Sequence, residues 1–434
     1  MKKYSKFKNT NIEWIGEIPE HWDIIRFKYI VSSQKGKVPK KLTDKNVSNS
    51  PVYLSMSYLR GNPDEKKFVL ESKDCVHVKT GDILLLWDGS EAGEFIKGKE
   101  GVLSSTMSKL DIDDDLNQSY IWYFLKTFEK ILKDFTNGMG IPHVDSSILE
   151  NSKIILPPLS EQIQISSYLN NKTSLIDKLI NNNKKLIKLL EEKRTVLINK
   201  VITKGLDPNV KMKDSGIEWI GEIPEHWEVM RLSYCSFIGS GTTPKSDDEK
   251  YYQSGDVNWL ITGDLKSKYI TNTSRKITEK ALEDYSTLKE YPIDSVVIAM
   301  YGATIGAVSI LKVCSTVNQA CAVITPRYGL LYEFLYYFLL GNKEKLLSDS
   351  VGGGQPNVSQ SILKSQIIAF PSNNEQKEII ILLNERLALI EKDIEIFNKE
   401  NKLLKEYRQS LISNVVTGKV DVRERNNIKE KTND

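Results

Sequence analysis

Two stretches of the chain carry a helical alternation of apolar and polar positions for far longer than an ordinary globular helix does. Between Glu161 and Thr203, the residues Ile165, Leu169, Ile176, Leu179, Leu186, Leu190 and Leu197 fall on three- and four-residue steps or their sums. That is the spacing of a coiled-coil seam, and it predicts one helix roughly 65 Å long. Lys172, Asn183 and Lys193 interrupt the seam; Asn183 either fixes register or marks a locally solvated stretch. Gly205 supplies a stop, with Pro208 just beyond. Between Glu375 and Thr417 the pattern returns, carried by Ile379, Leu383, Ile390, Phe397, Leu404 and Leu411. Neither helix can bury its stripe alone. The simplest solution packs the two antiparallel as a coiled coil, with one globule at each end and a pseudo-twofold axis.

Ahead of each long helix the pattern shortens. Runs at Pro51–Ser55, Cys75–Val78 and Asp82–Trp87, separated by turn residues, read as strands. Ile121, Leu125, Phe128 and Leu132 predict a helix over Gln118–Phe135. In the second half, Val257–Ile261, Ser295–Ala299 and Cys321–Ile324 read as strands and Tyr332–Leu340 as a helix. Each globule is therefore mixed α/β, in the α+β sense. A shared skeleton runs through both: Asp82, a strand and Gly89-x-x-x-Gly93 parallel Asp294, a strand and Gly302-x-x-x-Gly306.

The duplication is explicit elsewhere. Ile12–Trp22, IEWIGEIPEHW, recurs letter for letter at Ile217–Trp227. Ile141-Pro-His-Val144 matches Gln355-Pro-Asn-Val358, and each is followed by Ser-Ile-Leu, a Pro, a Glu-Gln pair and a long helix. Internal repeats of this kind set the plan of a fold. Four of the seven Trp lie in the two arms. The arms are expected to act as aromatic clasps on the body of each half rather than as partner-docking surfaces, because buried aromatics dominate packing energy. Residues 1–11 read as a polar lead-in, and the tail after Val420 as polar and frayed.

Composition narrows the functional classes. The 434 residues suffice for two or three cored domains. Sixty basic residues against 57 acidic ones leave a net charge of +3, so any basic surface must come from local clustering. Cys75, Cys235, Cys314 and Cys321 form no CxxC pair, and with four His they give no metal-ligand spacing. They are expected to be buried structural thiols in a reducing cytoplasm. No signal peptide is expected, and no apolar run approaches the roughly 20 residues a membrane span needs. There is no GxxxxGK[ST] loop and no [DNS]PP[YF] tetrapeptide. A nuclease-like set, Asp64, Glu71 and Lys73, can be assembled but has no counterpart in the second copy.

The arms, the Pro158–Gln162 segment PLSEQ, Gly241-Thr-Thr-Pro-Lys245 and Tyr301-Gly-Ala-Thr-Ile-Gly306 together resemble the specificity (S, or HsdS) subunits of type I restriction–modification systems. The resemblance covers essentially the whole chain and departs at Ser33-Gln-Lys-Gly-Lys37, which stands where the second copy has the Gly-Thr-Thr-Pro-Lys loop. It implies two target recognition domains, each reading one half of a split, asymmetric DNA sequence. It implies helices that set the spacing and dock two methyltransferase subunits, joined by two restriction/translocase subunits. The chain itself is then expected to be non-catalytic and to bind no cofactor, with S-adenosylmethionine, ATP and magnesium on the partners. Boundaries follow: arm and first recognition domain 1–158, central helix 159–204, second arm and recognition domain 205–372, C-terminal helix 373–418, polar tail 419–434. The alternative is a stand-alone endonuclease using Asp64, Glu71 and Lys73.

Loops with hydroxyls, Lys and glycine suit phosphate and base-edge contact. In the second domain these are Thr242, Thr243, Lys245, Thr262, Lys266, Tyr301, Thr304 and Gln319. Their positional counterparts in the first are Lys35, Lys37, Ser55, Ser57, Tyr58, Arg60, Ser90 and Thr106. Gly138–Gly140 and Gly352–Gln355 either approach the DNA backbone or serve as hinges.

Overall fold

The computed structural model describes residues 3–47, 50–136, 142–217, 220–349 and 357–423. The glycine-rich stretches 138–140 and 352–355 lie outside them, as do Ile141, Trp219, Gln355 and Pro356. The chain divides into two compact units, residues 1–183 with 399–434, and residues 184–398. Each unit holds one half of each of two long helices, Leu159–Lys204 and Asn373–Val416.

In the first unit an antiparallel sheet has the order Phe95–Lys97, Ile83–Leu86, Met107–Ile112, Val31–Lys35. Its central strand, Ile-Leu-Leu-Leu, is apolar at every position because both faces are covered. Ile83 and Leu85 join the core built on the helix Gln118–Asp134 and the long helices. Leu84 and Leu86 face a second cluster with Leu54, Val78 and Leu103. That cluster belongs to a five-stranded sheet in which Val52–Leu54 and Gly101–Leu103 run parallel. The second unit repeats the scheme. Ser236–Ser240, Cys321–Pro326, Val296–Ala299 and Val308–Leu311 pair antiparallel. Val296 and Ile298 face the helix Tyr332–Gly341, and Val297 and Ala299 face the other way.

The repeated motifs are the joints of this frame. Trp22 and Trp227 are almost wholly buried, at 0% and 1% exposure. The Trp22 indole N–H donates to Glu161 at 3.0 Å, and the Trp227 indole N–H to Glu375 at 3.0 Å. His21 and His226 reach the same carboxylates at 2.8 and 2.7 Å. The neighbouring glutamines close the other side. The Gln162 side chain donates to the Pro157 carbonyl at 2.8 Å and accepts from the Asn117 N–H at 3.0 Å. Gln376 does the same with the Pro371 carbonyl and the Leu331 N–H, both at 2.9 Å. Each arm is thus a clasp on the first turn of a long helix, and each glutamine ties that turn to the N-terminus of another helix, Gln118–Asp134 in the first unit and Tyr332–Gly341 in the second.

Three expectations are corrected. Leu179 and Leu186 are exposed, at 48% and 43%. The buried line of the first long helix instead runs through Thr173, Ile176, Ile180, Asn183 and then the half-buried Ile187 and Leu190, an unbroken 3-4-3-4 series. Polar residues occupy two of its steps, so a count of leucines slips to the neighbouring row. Lys172 and Lys193 are exposed and interrupt nothing. Asn183 is buried and its amide donates to Glu400 at 3.2 Å, which answers the register question in favour of a specific bond. The helix halves pack antiparallel within each unit, with Arg408 on Asp177 at 3.2 Å in one and Arg194 on Glu391 at 3.4 Å in the other.

The lead-in is structured. Phe7–Asn9 pairs with Glu17–Pro19, and the buried Tyr4 donates its hydroxyl to Glu161 at 2.7 Å. Two aromatic anchors among the lysines suffice to hold it. The tail is not polar throughout either: Val420 and Val422 are buried, and the Arg423 guanidinium lies 4.7 Å from the Tyr4 ring centre.

Candidate nucleic-acid interface

Strand register decides which loops share an end of each unit. In the first unit Met107 opposes Leu86, Ser108 opposes Lys35, and Leu54 lies beside Leu103. The loops 36–40, 55–60, 87–93 and 104–106 therefore gather at the start of the Met107–Ile112 strand. All eight candidates of the first domain lie there. Ser57, Arg60, Ser90 and Thr106 line one cleft of about 430 Å³ together with Asp88 and Gly89. Ser55 caps a short helical turn by accepting the Tyr58 N–H at 3.1 Å. The Lys99 ammonium sits 4.8 Å from the Tyr58 ring centre. Arg60 is paired with Glu94, and Lys35 with Asp88 at 3.0 Å. The Thr106 carbonyl accepts from the Trp87 and Asp88 N–H groups at 2.8 and 3.1 Å, so the two central loops are pinned to each other. Lys37 is exposed.

The second unit builds the same end from different side chains. Cys321 opposes Ala299, Ala322 opposes Ser240, and Leu260 lies beside Val317. Loops 241–245, 261–266, 300–306 and 318–320 meet there, carrying all eight candidates of the second domain. The Thr243 hydroxyl donates to the Gln319 side-chain oxygen at 2.5 Å. Three aromatic residues hold the glycine-led loop from behind. The Trp259 indole donates to the Thr242 carbonyl at 3.2 Å, the Tyr252 hydroxyl donates to the Pro244 carbonyl at 2.6 Å, and the Lys245 N–H donates to the Tyr285 hydroxyl at 3.0 Å. Thr243, Tyr252 and Trp259 share a cleft of about 460 Å³ with Glu249 and Arg275. Burial raises the Tyr252 and Tyr301 phenols above their ordinary value, so both remain protonated donors. Thr262 opens a 3-10 turn, and Lys266 and Thr304 are exposed.

Two glycines set the correspondence between the units. A Cβ on Gly36 would overlap the Ser104 carbonyl oxygen, and one on Gly241 the Val317 carbonyl oxygen. Both glycines follow matching strands, Val31–Lys35 and Ser236–Ser240. Gly36-Lys-Val-Pro-Lys40 is thus the counterpart of Gly241-Thr-Thr-Pro-Lys245, in place of the Ser33–Lys37 pairing expected from sequence. Lys40 stands where Lys245 stands, and sequence reasoning missed it although Pro39-Lys40 repeats Pro244-Lys245. It also missed Asp88, which precedes Gly89 as Tyr301 precedes Gly302. Gly89 and Gly302 have φ of 120° and 86°, a left-handed geometry that favours glycine.

Among the described residues no three or more His, Cys, Asp or Glu are grouped to hold a metal ion. Glu71 pairs with Lys41 at 3.7 Å, and no ion pair among the described residues joins Asp64, Glu71 and Lys73. No helix of the described residues is long and apolar enough to cross a membrane.

Two like frames with unlike polar ends make this a duplicated α/β protein organised on two long helices. The chain belongs to the family of the type I restriction modification DNA specificity domain, which it matches over residues 19–192 and 224–405. It is 34% identical over 423 residues to the MjaVIII specificity subunit of a type I restriction enzyme from Methanocaldococcus jannaschii, covering 94% of this chain and 95% of that one. Against the EcoBI specificity subunit of Escherichia coli it is 21% identical over 356 residues, covering 78% of this chain and 73% of the relative. Among solved structures, a chain from work on complex assembly and conformational transition of the type I R-M system shares the fold with a TM-score of 0.70. It is 14% identical, and the match covers 93% of this chain and 99% of that one. The HsdS subunit from Thermoanaerobacter tengcongensis gives a TM-score of 0.50 at 15% identity, covering 93% and 98%.

Proposed function

We propose that this chain is the sequence-reading subunit of a type I restriction–modification complex and is itself non-catalytic. Residues 1–158 and 205–372 each form an arm with a target recognition domain. Each reads one half of a bipartite, asymmetric site in double-stranded DNA. The helices 159–204 and 373–418 set the spacing and dock two methyltransferase subunits, two restriction/translocase subunits complete the assembly in the cytoplasm, and 419–434 is a tail. S-adenosylmethionine, ATP and magnesium act on those partners, where the target adenine is flipped out of the duplex.

One observation carries this reading: the frame is repeated from arm to helix while the side chains at the loop end of each unit are rewritten. A repeated frame presents each reader alike; different surfaces make the half-sites different. Hydroxyls, amides and cations at those ends suit phosphates and base edges. The helices also expose large apolar residues that their own units leave uncovered, among them Leu179, Leu186, Leu389, Ile396 and Leu403, which supports their use in docking. The test is to map modified adenines across the genome of cells carrying the methyltransferase partner, with and without this chain. A split motif that vanishes on deletion is expected; methylation that persists unchanged refutes the reading.

A further inference from the structure

The geometry points to Asp88 as a base reader in the first half-site, accepting a hydrogen bond from an exocyclic amino group, cytosine N4 or adenine N6. This rests on the DNA-reading function proposed above and names part of what that function recognises.

Asp88 is held from two sides. Its N–H donates to the Thr106 carbonyl at 3.1 Å; on the other side the Gly89 N–H donates to the Pro142 carbonyl and the Val144 N–H to the Trp87 carbonyl, both at 3.0 Å, the pair of bonds that makes the bridge between Asp88 and His143. Its side chain is about one-third exposed, at 32%, and lines the cleft shared by Ser57, Arg60, Ser90 and Thr106. Lys35 engages one carboxylate oxygen, Oδ2, at 3.0 Å, and Lys35 is itself 5.8 Å from the Trp87 ring centre. No side chain among the described residues bonds the second oxygen, and its lone pairs are open to a ligand.

A carboxylate at this place is informative because DNA is a polyanion. Facing a phosphate it would be repelled. The duplex offers N–H donors only on base edges, and in the major groove these are cytosine N4 and adenine N6. Lys35 offsets the charge of Asp88 and allows it to approach. Arg60, fixed by Glu94 in the same cleft, sets a donor beside this acceptor. The counterpart in the second unit is Tyr301, a phenol that both donates and accepts. The repeat thus puts an obligate acceptor at one reading end and an ambivalent group at the other, which is one concrete source of asymmetry between the half-sites.

The test uses the full chain with its methyltransferase partner, and reads the methylated motif genome-wide for wild type, D88N, D88E and D111N. Asp111 lies at the far end of the same sheet, opposite Ser32, and is bound to Gln34 and Lys109. For D88N we expect one C·G or A·T pair of the first half-motif to become degenerate or switched, with a loss of preference of about tenfold or more. The second half-motif stays intact. Which base is lost distinguishes cytosine from adenine. D88E keeps the wild-type base at that position with lower occupancy, and D111N keeps the whole motif. A D88N motif identical to wild type overturns the proposal, as does a change confined to the half specified by residues 228–354, or an equal change in D111N. If D88N abolishes methylation, the purified D88N complex is tested on duplexes varied at each position; unchanged base preference in its residual binding also overturns it. Methylation that does not depend on the chain at all is a different failure, that of the underlying function.

Discussion

Glu161 and Glu375 are equivalents in the repeat, yet removing them should not have equal effects. Glu161 accepts from Tyr4 and Trp22, both buried, and from His21, whose side chain is 44% exposed. Glu375 accepts from the buried Trp227 and from the half-exposed His226. A histidine at the surface can turn to water when its partner is lost; a buried indole or phenol cannot. Leaving one buried donor unsatisfied costs about 1–3 kcal/mol. E375A should therefore destabilise its arm by about 1–3 kcal/mol, and E161A, which orphans two buried donors, by about 2–6 kcal/mol. The assay is hydrogen exchange in the full chain, following peptides from 3–22 and 212–217 through a urea series. E161A should lower protection of the first arm by a further factor of about five or more beyond what E375A does to the second. Equal losses, or a larger loss in E375A, would refute the reasoning that buried donors set the cost.

Other consequences can be checked as directly. G36A or G241A forces a Cβ onto a carbonyl oxygen, so each should shift its own loop and degrade only its own half-motif, read by methylation mapping. In the first long helix, I180A should cost about 2–4 kcal/mol in urea unfolding. L186E, one row away and exposed, should leave stability within about 0.5 kcal/mol while weakening capture of the methyltransferase subunit. Burial pushes the Cys321 thiol up to about 12 and the Cys235 thiol to about 11, whereas Cys314 is exposed. In the folded chain at pH 8, alkylation should label Cys314 rapidly and spare the other two, as read by mass spectrometry. Because these folded values lie above the unfolded ones, their contribution to stability is complete below about pH 8.5 and is lost as pH rises towards 12, so the urea midpoint should fall between pH 8 and pH 10.5. DNA affinity of the chain alone should depend more weakly on salt than that of the complex, since partners share phosphate neutralisation; equal slopes would contradict this.

Much of the frame was legible because it rests on short-range chemistry. The arm carries two Trp, and the Glu-Gln pair recurs at one spacing, so both ends of each clasp were visible in the sequence, though not that they meet. The second seam was read at positions that all lie on the buried line, because Ile, Leu and Phe occupy them. The first seam slipped by one row where Thr173 and Asn183 take core positions through specific bonds that hydropathy does not register. Tyr4 and Phe7 were hidden among lysines, and Val422 in a polar tail. At the loop ends of the two units, sequence reasoning found hydroxyls and lysines but passed over Asp88, since acidic residues are not sought in a loop expected to face DNA. The exact loop correspondence needed two tightly packed glycines, Gly36 and Gly241, whose tightness is set by carbonyls distant in sequence.

The central claim is that each unit reads one half of a split site independently. The most direct measurement replaces residues 228–354 with the corresponding segment of a relative of different specificity and maps methylated adenines in cells carrying the partner methyltransferase. The account predicts a hybrid motif: the half read by residues 1–158 unchanged, the other half that of the donor, with the spacer kept by the native helices. A motif altered in both halves, or left wholly unchanged, would contradict it.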